Sequence, residues 1–339
     1  MGERLASVTA ANKIKNLDGL LASGDRKARE IVLSIVDDVL DQLDSRRLIG
    51  SLLQCDGRHL RIGELCWDLS QKRRVLIVGA GKAGNAMALG VEDALGERIA
   101  EGLVIVKDIN RQERLSRVQL VRGGHPLPNE EGLKASRRIL ELVDRLGPED
   151  LVIGLISGGS SALMSCPVPG ISLEDEIRAT ELLLKSGARI LEINAVRRHI
   201  SATNGGRLAQ RVEGRGAEMI NLILSDGVGA RPTVNPQKPV TFYGTPVAPD
   251  KTTLEDARAV IDKYALAHKV PASILIYLDS ADLQRETPKM LKPTTHHFVL
   301  ERPADACEAA AAAAARAGLP GGILTTVLEG ESAAAGDGD

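Results

Sequence analysis

Short apolar segments alternate along the chain with longer segments whose apolar residues recur every three or four positions. Predominantly apolar runs begin at Val75, Leu103, Leu151 and Met219, and such runs are typical of strands buried on both faces of a parallel sheet. The helical periodicity covers residues 25–43, 83–95, 133–146, 173–186, 190–198, 252–264 and 307–317. The alternation predicts an α/β fold built on a doubly wound, mostly parallel sheet.

The two ends of the chain follow a different pattern from its centre. Residues 1–66 are predicted to form a helical segment that packs on a main sheet domain over 67–290. The remaining stretch, 291–339, holds an alanine-rich helix and then residues 322–328, which begin like a strand. A helix and one strand start a new layer that nothing completes, so we expect an incomplete second α/β domain there.

Composition narrows the classes of function. The 339 residues carry 43 Lys and Arg against 45 Asp and Glu, a net charge of −2, which argues against a chain built as a whole to coat nucleic acid or an anionic membrane. The single Trp, two Phe and three Tyr provide no platform for stacking bases. No apolar run reaches the ~18 residues of a membrane span. Four scattered cysteines indicate reduced thiols and a cytoplasmic location, whereas oligomerisation, including a homo-oligomer, stays open.

The first candidate site is the glycine loop over 79–84, which follows one apolar run and precedes a helix. Gly79, Gly81 and Gly84 match the G-x-G-x-x-G pattern, whose tight turn brings free N–H groups to an anion. One interpretation is a dinucleotide site, with Asp108 at the end of the next strand as the ribose partner. Lys82 within the loop favours a transferring phosphate or a carboxylate instead. A tight turn without a ligand is the third alternative.

A second glycine loop strengthens the interpretation as a phosphate site. The loop follows the apolar run at 151–156 and combines small side chains, hydroxyl groups and clustered N–H donors. Its residues are Ser157, Gly158, Gly159, Ser160 and Ser161. Because the loops after parallel strands share one edge of a sheet, the two glycine loops together predict a site for a phosphorylated ligand.

Further polar residues are candidates for the same edge. Asn194, Arg197 and Ser201 have helical spacing, and arginine suits a carboxylate or phosphate. For a single arginine, a solvated, charged helix face is the more usual explanation. Asp226 follows the run at 219–224 and is either a Mg²⁺ ligand or base, or part of a turn with Gly227. His125, in a loop rich in proline, contacts either a ligand or loop carbonyls. We expect His199 and the His296–His297 pair to be structural.

Several motifs in one order resemble the glycerate 2-kinase family, some of whose members are called MOFRL-type glycerate kinases or hydroxypyruvate reductases. The matching segments lie at 78–83, 124–128, 155–163, 192–201, 205–209, 249–253 and 286–289. The resemblance extends over roughly residues 10–331. It implies a large Rossmann-like domain, a smaller C-terminal α/β domain, and an active site between them.

The resemblance also implies a reaction and roles for matching residues. The reaction is ATP-dependent phosphorylation of D-glycerate at its 2-hydroxyl, with Mg²⁺, giving 2-phosphoglycerate. Lys82 would hold the transferring phosphoryl group or the glycerate, with Arg197 and Asp226 as the other catalytic candidates and Asp226 as the metal ligand. Nucleotide binding would fall to Gly79, Gly81, Ser157, Gly158, Gly159, Ser160, Ser161 and Asn194.

Three departures separate this sequence from the family pattern. Asn204 stands where the family usually carries lysine, and the segment 225–246 lacks one usual acidic residue. The sequence also ends before the C-terminal segment that, in the family, supplies an active-site arginine, so the resemblance leaves open whether this chain alone is active. An NAD(P)H-dependent hydroxypyruvate reductase and a non-catalytic nucleotide-binding protein remain the alternatives.

Overall fold

The computed structural model describes residues 13–110, 114–226, 246–280 and 282–326. Six strands form one sheet, in which all neighbouring strands are parallel, and three others form a small antiparallel sheet. The small sheet contains β1 (Gln54–Cys55), β2 (His59–Ile62) and β3 (Leu65–Asp68). The large sheet contains β4 (Arg74–Ala80), β5 (Ile99–Val106), β6 (Val118–Arg122), β7 (Asp150–Ser157), β8 (Glu218–Leu224) and β9 (Thr295–Glu301).

The helices fall close to where the periodicity predicts them. They are α1 (Leu17–Leu20), α2 (Arg26–Gln42), α3 (Ser45–Leu52), α4 (Gly84–Leu95), α5 (Glu130–Asp144), α6 (Ser160–Leu163), α7 (Leu173–Lys185), α8 (Ile190–His199), α9 (Arg207–Gly214), α10 (Leu254–Lys263), α11 (Ala272–Leu278) and α12 (Pro303–Arg316). The α10 helix also has a capping box at its start. Thr253 Oγ1 accepts a hydrogen bond from the Asp256 N–H, and the Asp256 side chain accepts one from the Thr253 N–H. None of the helices in the described ranges is long and apolar enough to cross a bilayer.

The strand order of the large sheet is β6-β5-β4-β7-β8-β9. The chain therefore moves outward in one direction from β4 and then returns to build the other half of the sheet from β7. This is the order 3-2-1-4-5-6 of doubly wound sheets, which bind ligands where the order reverses, outside the carboxyl ends of the central strands. The predicted parallel α/β fold is confirmed, and the two glycine loops lie at this reversal.

Helices cover both faces of the large sheet, which explains why the central strands β4, β7 and β8 are mostly apolar. On one face, α5 and α9 pack on sheet residues such as Val78 and Val152. On the other, α3, α4 and the small sheet pack on residues such as Ile77 and Ile153. A third apolar cluster joins α7, α8, α10 and α11, and it holds α8 beside the sheet edge.

Three parts of the secondary structure differ from the sequence prediction. Residues 54–68 form the small antiparallel sheet, so the prediction of an all-helical segment over 1–66 is wrong there. The strands β6 and β9 were not predicted because Gln119 in one and the adjacent His296 and His297 in the other interrupt their apolar runs. Residues 322–326 form no strand, and 327–328 lie outside the described residues.

The chain divides into two compact units. One extends from Ser45 to Arg302 and contains both sheets. The other takes in the described residues before and after it, where α2 and α12 pack together and Arg316 donates to Asp38 at 3.1 Å. The three-domain division at residues 66 and 290 stays a prediction.

Polar groups at the amino edge of the large sheet support the structural interpretation of the histidine pair. The His296 ring lies edge-on to Trp67, with ring centroids 5.4 Å apart. Trp67 Nε1 donates to Glu218, and His296 Nε2 lies 3.0 Å from the same carboxylate. No group of three or more metal-ligating side chains occurs among the residues described.

We expect His297 to make the stability depend on pH. Burial lowers its pKa from 6.5 to about 4, and the positive charge of His296 acts in the same direction. Between these pH values the unfolded chain binds the extra proton, so the free energy of unfolding falls by about 2–3 kcal/mol as pH drops from 6.5 to 4. The slope of the free energy of unfolding against pH, obtained from urea unfolding across this range, should be smaller for His297→Gln than for the parent chain. The same change at the exposed His268 should leave the slope as in the parent chain, and an unchanged slope in His297→Gln would contradict the prediction.

Candidate active site

The two glycine loops are hydrogen-bonded to each other at the carboxyl ends of β4 and β7. The Lys82 N–H donates to the Gly158 carbonyl at 2.9 Å, and the Ala83 N–H donates to Ser157 Oγ at 3.1 Å. The Gly81 N–H donates to the Ile105 carbonyl of β5 at 3.0 Å. Three neighbouring strands therefore fix the position of the loop that carries Lys82.

Glycine is required in the second loop because two polar side chains, those of Asp226 and His125, approach its backbone closely. A Cβ atom on Gly158 would lie 2.0 Å from Asp226 Oδ2. Gly159 has a φ of +89°, and a Cβ atom there would lie 2.7 Å from the His125 ring. The loop thus brings Asp226 and His125 to the same site, with bare backbone between them.

Lys82 and Asp226 form an ion pair across the site, with Nζ 3.1 Å from Oδ2. Their side chains are 48% and 65% exposed, so the pair contributes little to stability and both groups are accessible to a ligand. Asp226 lies two residues beyond the end of β8. Because β4, β7 and β8 are neighbours in the sheet, their carboxyl ends meet at this ion pair. The alternative of a turn with Gly227 involves a residue outside the described ranges.

His125 brings an imidazole to the same edge from the loop before α5. Burial lowers its pKa below the usual 6.5, and the positive charges of Lys82, Lys107 and Arg197 lower it further, while Asp226 opposes them. The imidazole is therefore uncharged at neutral pH and able to accept a proton.

A cavity of about 300 Å³ opens beside these groups. Its size and its position at the reversal of strand order are those of a small-molecule site. The lining residues are His125, Pro126, 156–162, Thr180, Leu184, Ile190, Ile193, Asn194, Arg197 and 223–226.

Most of the residues predicted for catalysis and nucleotide binding line this cavity, and Gly79, Gly81 and Lys82 are the three exceptions. Gly79 lies inside β4 against Leu155, and Gly81 packs against Ser157. Lys82 reaches the edge of the cavity through its ion pair with Asp226. Asp108, the ribose partner of the dinucleotide interpretation, does not line the cavity and instead pairs with Arg122 at 3.2 Å.

Of the three polar residues with helical spacing, only Asn194 and Arg197 line the cavity. The α8 helix ends at His199, so Ser201 does not continue the face that carries Asn194 and Arg197. Ser201 accepts hydrogen bonds from the Thr203 and Asn204 N–H groups instead. His199 is fully buried, as expected, with Nε2 2.7 Å from Glu286, while the neighbouring Arg198 pairs with Asp250.

Asn204, the departure from the family pattern, supports the second glycine loop. Its buried amide donates from Nδ2 to the Ser161 carbonyl and to Ser201 Oγ, both at 3.1 Å. The residue therefore links Ser161, in the first turn of α6, to Ser201.

Sequence reasoning missed the cavity residues of α7, above all Thr180. Thr180 follows Glu176 by one helical turn, and both are buried polar residues on a helix whose other buried positions are mostly apolar. Two polar residues at this spacing on the inward face were the available signal.

The fold and the cavity define a doubly wound α/β protein with its ligand site at the carboxyl edge of the sheet. A family described as a domain of unknown function, DUF4147, matches residues 31–279. The chain belongs to this family, and the relatives below confirm the resemblance to glycerate 2-kinases.

Three comparisons describe that similarity. A glycerate 2-kinase from Pyrococcus horikoshii is 36% identical over 312 residues, which are 91% of this chain and 67% of that protein. A relative from Agrobacterium vitis with a provisional hydroxypyruvate reductase name is 38% identical over 259 residues, 76% of this chain and 56% of that protein. The crystal structure of glycerate kinase from Thermotoga maritima matches with a TM-score of 0.68 at 32% identity, covering 86% of this chain and 63% of that one. The chain thus spans between 56% and 67% of the length of these two curated relatives.

Proposed function

We propose that this protein transfers the γ-phosphoryl group of ATP to the 2-hydroxyl of D-glycerate. The observation that carries the proposal is the meeting of two glycine-rich loops, Lys82 and Asp226 at one sheet edge in a chain of this family. Phosphoryl transfer needs mainly positioning and neutralisation of negative charge, and this edge offers both.

The residues of the site suit separate tasks in this reaction. The backbone N–H groups and hydroxyls of the loop over 157–161 cradle phosphate oxygens. Lys82 neutralises charge on the transferring group, at the point where it now pairs with Asp226. Arg197 and Asn194 line the same cavity from α8.

The donor set also fits a magnesium ion brought with the nucleotide. Mg²⁺ at such sites is held by one or two carboxylates, with phosphates and water completing its six oxygen ligands. Asp226 supplies one accessible carboxylate, and Ser157 and Ser160 supply neutral oxygens beside it. When bound, the ion would neutralise charge on the phosphate oxygens.

In this reaction His125 accepts the proton that the substrate hydroxyl loses. The glycerate oxygen forms a bond to the γ-phosphorus while the bond to the β–γ bridging oxygen breaks, and ADP leaves. The hydroxyl proton passes to the His125 imidazole, which is uncharged at neutral pH.

We also propose a cytoplasmic location. All four cysteines are free thiols, which is usual for proteins of a reducing compartment. Burial raises the pKa of the Cys166 thiol, so that group stays protonated and unreactive.

In the presence of Mg²⁺, we expect the chain to convert ATP to ADP only when D-glycerate is also present. A coupled assay for ADP measures this, and the same preparation should leave NADH and NADPH absorbance unchanged with hydroxypyruvate. Oxidation of either nicotinamide would support the reductase named among the relatives. Nucleotide binding by calorimetry with no release of ADP would indicate a binding protein without catalysis.

A further inference from the structure

The cavity has a second polar end, formed by helices rather than by the glycine loops. Thr180 of α7 and two residues of α8, Asn194 and Arg197, provide its polar groups. Leu184, Ile190 and Ile193 are their apolar neighbours in the lining. The glycine loops, Lys82 and Asp226 belong to the other end. A ligand that fills the cavity therefore meets two different chemical environments.

Three polar atoms of this helical end are buried without partners. Within the described parts of the chain, Thr180 Oγ1 and the Nε and Nη2 atoms of Arg197 have no hydrogen-bond partner. Thr180 is only 3% exposed. An unsatisfied buried polar group costs about 1–3 kcal/mol, and more when it is charged, so three on one cavity wall indicate that a ligand completes them.

The unpartnered edge of Arg197 is the edge that binds carboxylates elsewhere in this protein. Arg46 uses Nε and Nη2 to hold both oxygens of Asp93, at 2.5 and 3.0 Å. Arg211 uses the same two atoms to hold Asp144, at 2.7 and 2.6 Å. The geometry of the guanidinium matches two oxygens in one plane, which is the shape of a carboxylate.

The charge around Arg197 also favours an anionic ligand. Burial lowers the pKa of its guanidinium, and Glu176 is the carboxylate that offsets this effect. Glu176 is itself buried, its pKa is raised by that burial, and it accepts a hydrogen bond from Ser165. No ion pair joins Arg197 to a carboxylate of the described residues, so its positive charge is only partly balanced.

We infer that Arg197 and Thr180 form a subsite for the carboxylate of the acceptor substrate. Arg197 binds the two carboxylate oxygens through Nε and Nη2, and the Thr180 hydroxyl donates to one of them. The inference rests on the proposed kinase function and adds to it the orientation of the substrate. With its carboxylate between α7 and α8, a 2-hydroxy acid presents its hydroxyl toward Lys82 and His125.

Calorimetric titration of the full chain tests this subsite without needing turnover. With Mg²⁺ and a saturating ATP analogue that cannot transfer its γ-phosphoryl group, the parent chain should bind D-glycerate and should not bind glycerol, which lacks the carboxylate. Arg197→Lys, which keeps the charge but removes the planar fork, should weaken D-glycerate binding at least tenfold. Thr180→Val should weaken it several-fold, and Thr180→Ser should restore it. ATP affinity should stay within twofold of the parent chain in all variants.

A matched control and a second ligand separate the alternatives. Arg178→Lys, at an exposed position of α7, should leave D-glycerate binding unchanged. Unchanged D-glycerate affinity in both Arg197→Lys and Thr180→Val would overturn the subsite, as would the absence of D-glycerate binding to the parent chain. If these variants instead lose binding of ATP or inorganic phosphate, the guanidinium of Arg197 binds a phosphate. That result would also overturn the carboxylate subsite.

These measurements distinguish a failure of the carboxylate subsite from a failure of the proposed kinase function. Weakened binding in the variants of a chain that releases no ADP supports the subsite and contradicts the kinase. ADP release with D-glycerate affinity unaffected by the variants supports the kinase and contradicts the subsite. Melting temperatures of all variants check that each one folds.

Discussion

Replacement of Lys82 by alanine lowers kcat for D-glycerate phosphorylation by about 10²- to 10³-fold, the usual cost of removing one group that stabilises charge in a transition state. Lys82 Nζ lies 3.1 Å from Asp226, at the edge where the ends of β4, β7 and β8 meet. Because its side chain is about half exposed and its ion pair contributes little to folding, the melting temperature should change little. Steady-state kinetics of ADP release measure the effect.

Lys107 provides the matched control for this substitution. It is an exposed lysine just beyond β5, and it acts on His125 only through its charge. Lys107→Ala should therefore leave kcat within about twofold of the parent chain. Equal losses in Lys82→Ala and Lys107→Ala would show that general positive charge, rather than the position of Lys82, supports the reaction. Unchanged kcat in Lys82→Ala would remove Lys82 from the mechanism.

Replacement of Gly79 by alanine destabilises the sheet unit by about 3 kcal/mol or more, at the upper end of the cost of overpacking. A Cβ atom there would lie 2.2 Å from the Leu155 carbonyl oxygen and 2.9 Å from Leu155 Cβ. Gly79 and Leu155 are directly paired in the middle of the sheet, so the backbone cannot move aside without separating β4 from β7. A thermal scan should show the melting temperature falling by roughly 6–12 °C.

Gly214 is the control glycine, because a Cβ atom added there meets nothing within 4 Å. It is the last residue of α9, where alanine loses less backbone entropy than glycine. Gly214→Ala should leave stability unchanged or raise it by up to ~1 kcal/mol. A Gly79→Ala variant as stable as Gly214→Ala would show that β4 and β7 separate at the loop more easily than their pairing indicates.

The alternation of apolar runs and helical periodicity was sufficient to predict the central part of the sheet. Strands β4, β7 and β8 and the second half of β5 are buried on both faces, so most of their residues are apolar and the signal is strong. The edge strands β6 and β9 carry polar residues within their runs, and the short strands β1 to β3 are too brief for a pattern to develop.

The candidate site was predictable as far as strand ends determine it. Parallel strands place the loops at 79–84 and 157–161 on one edge, and Asp226 follows from the same argument because β8 neighbours β7. The spacing of Glu176 and Thr180 could mark Thr180 as a polar residue on the inward face of α7. That it lines the cavity depends on how α7 packs beside α8, which no local pattern encodes. For the same reason, the approach of His125 to Gly159 could not be read from a loop sequence.

The ³¹P NMR spectrum of a mixture of this chain with ATP, Mg²⁺ and D-glycerate is the most direct test of the central claim. The account predicts that the γ-phosphate signal of ATP disappears while ADP and a phosphate ester on carbon 2 of glycerate appear together, at a rate at least about 100-fold slower for Lys82→Ala. ATP that stays intact while D-glycerate is present at saturating concentration, or a phosphate ester on carbon 3, would contradict it.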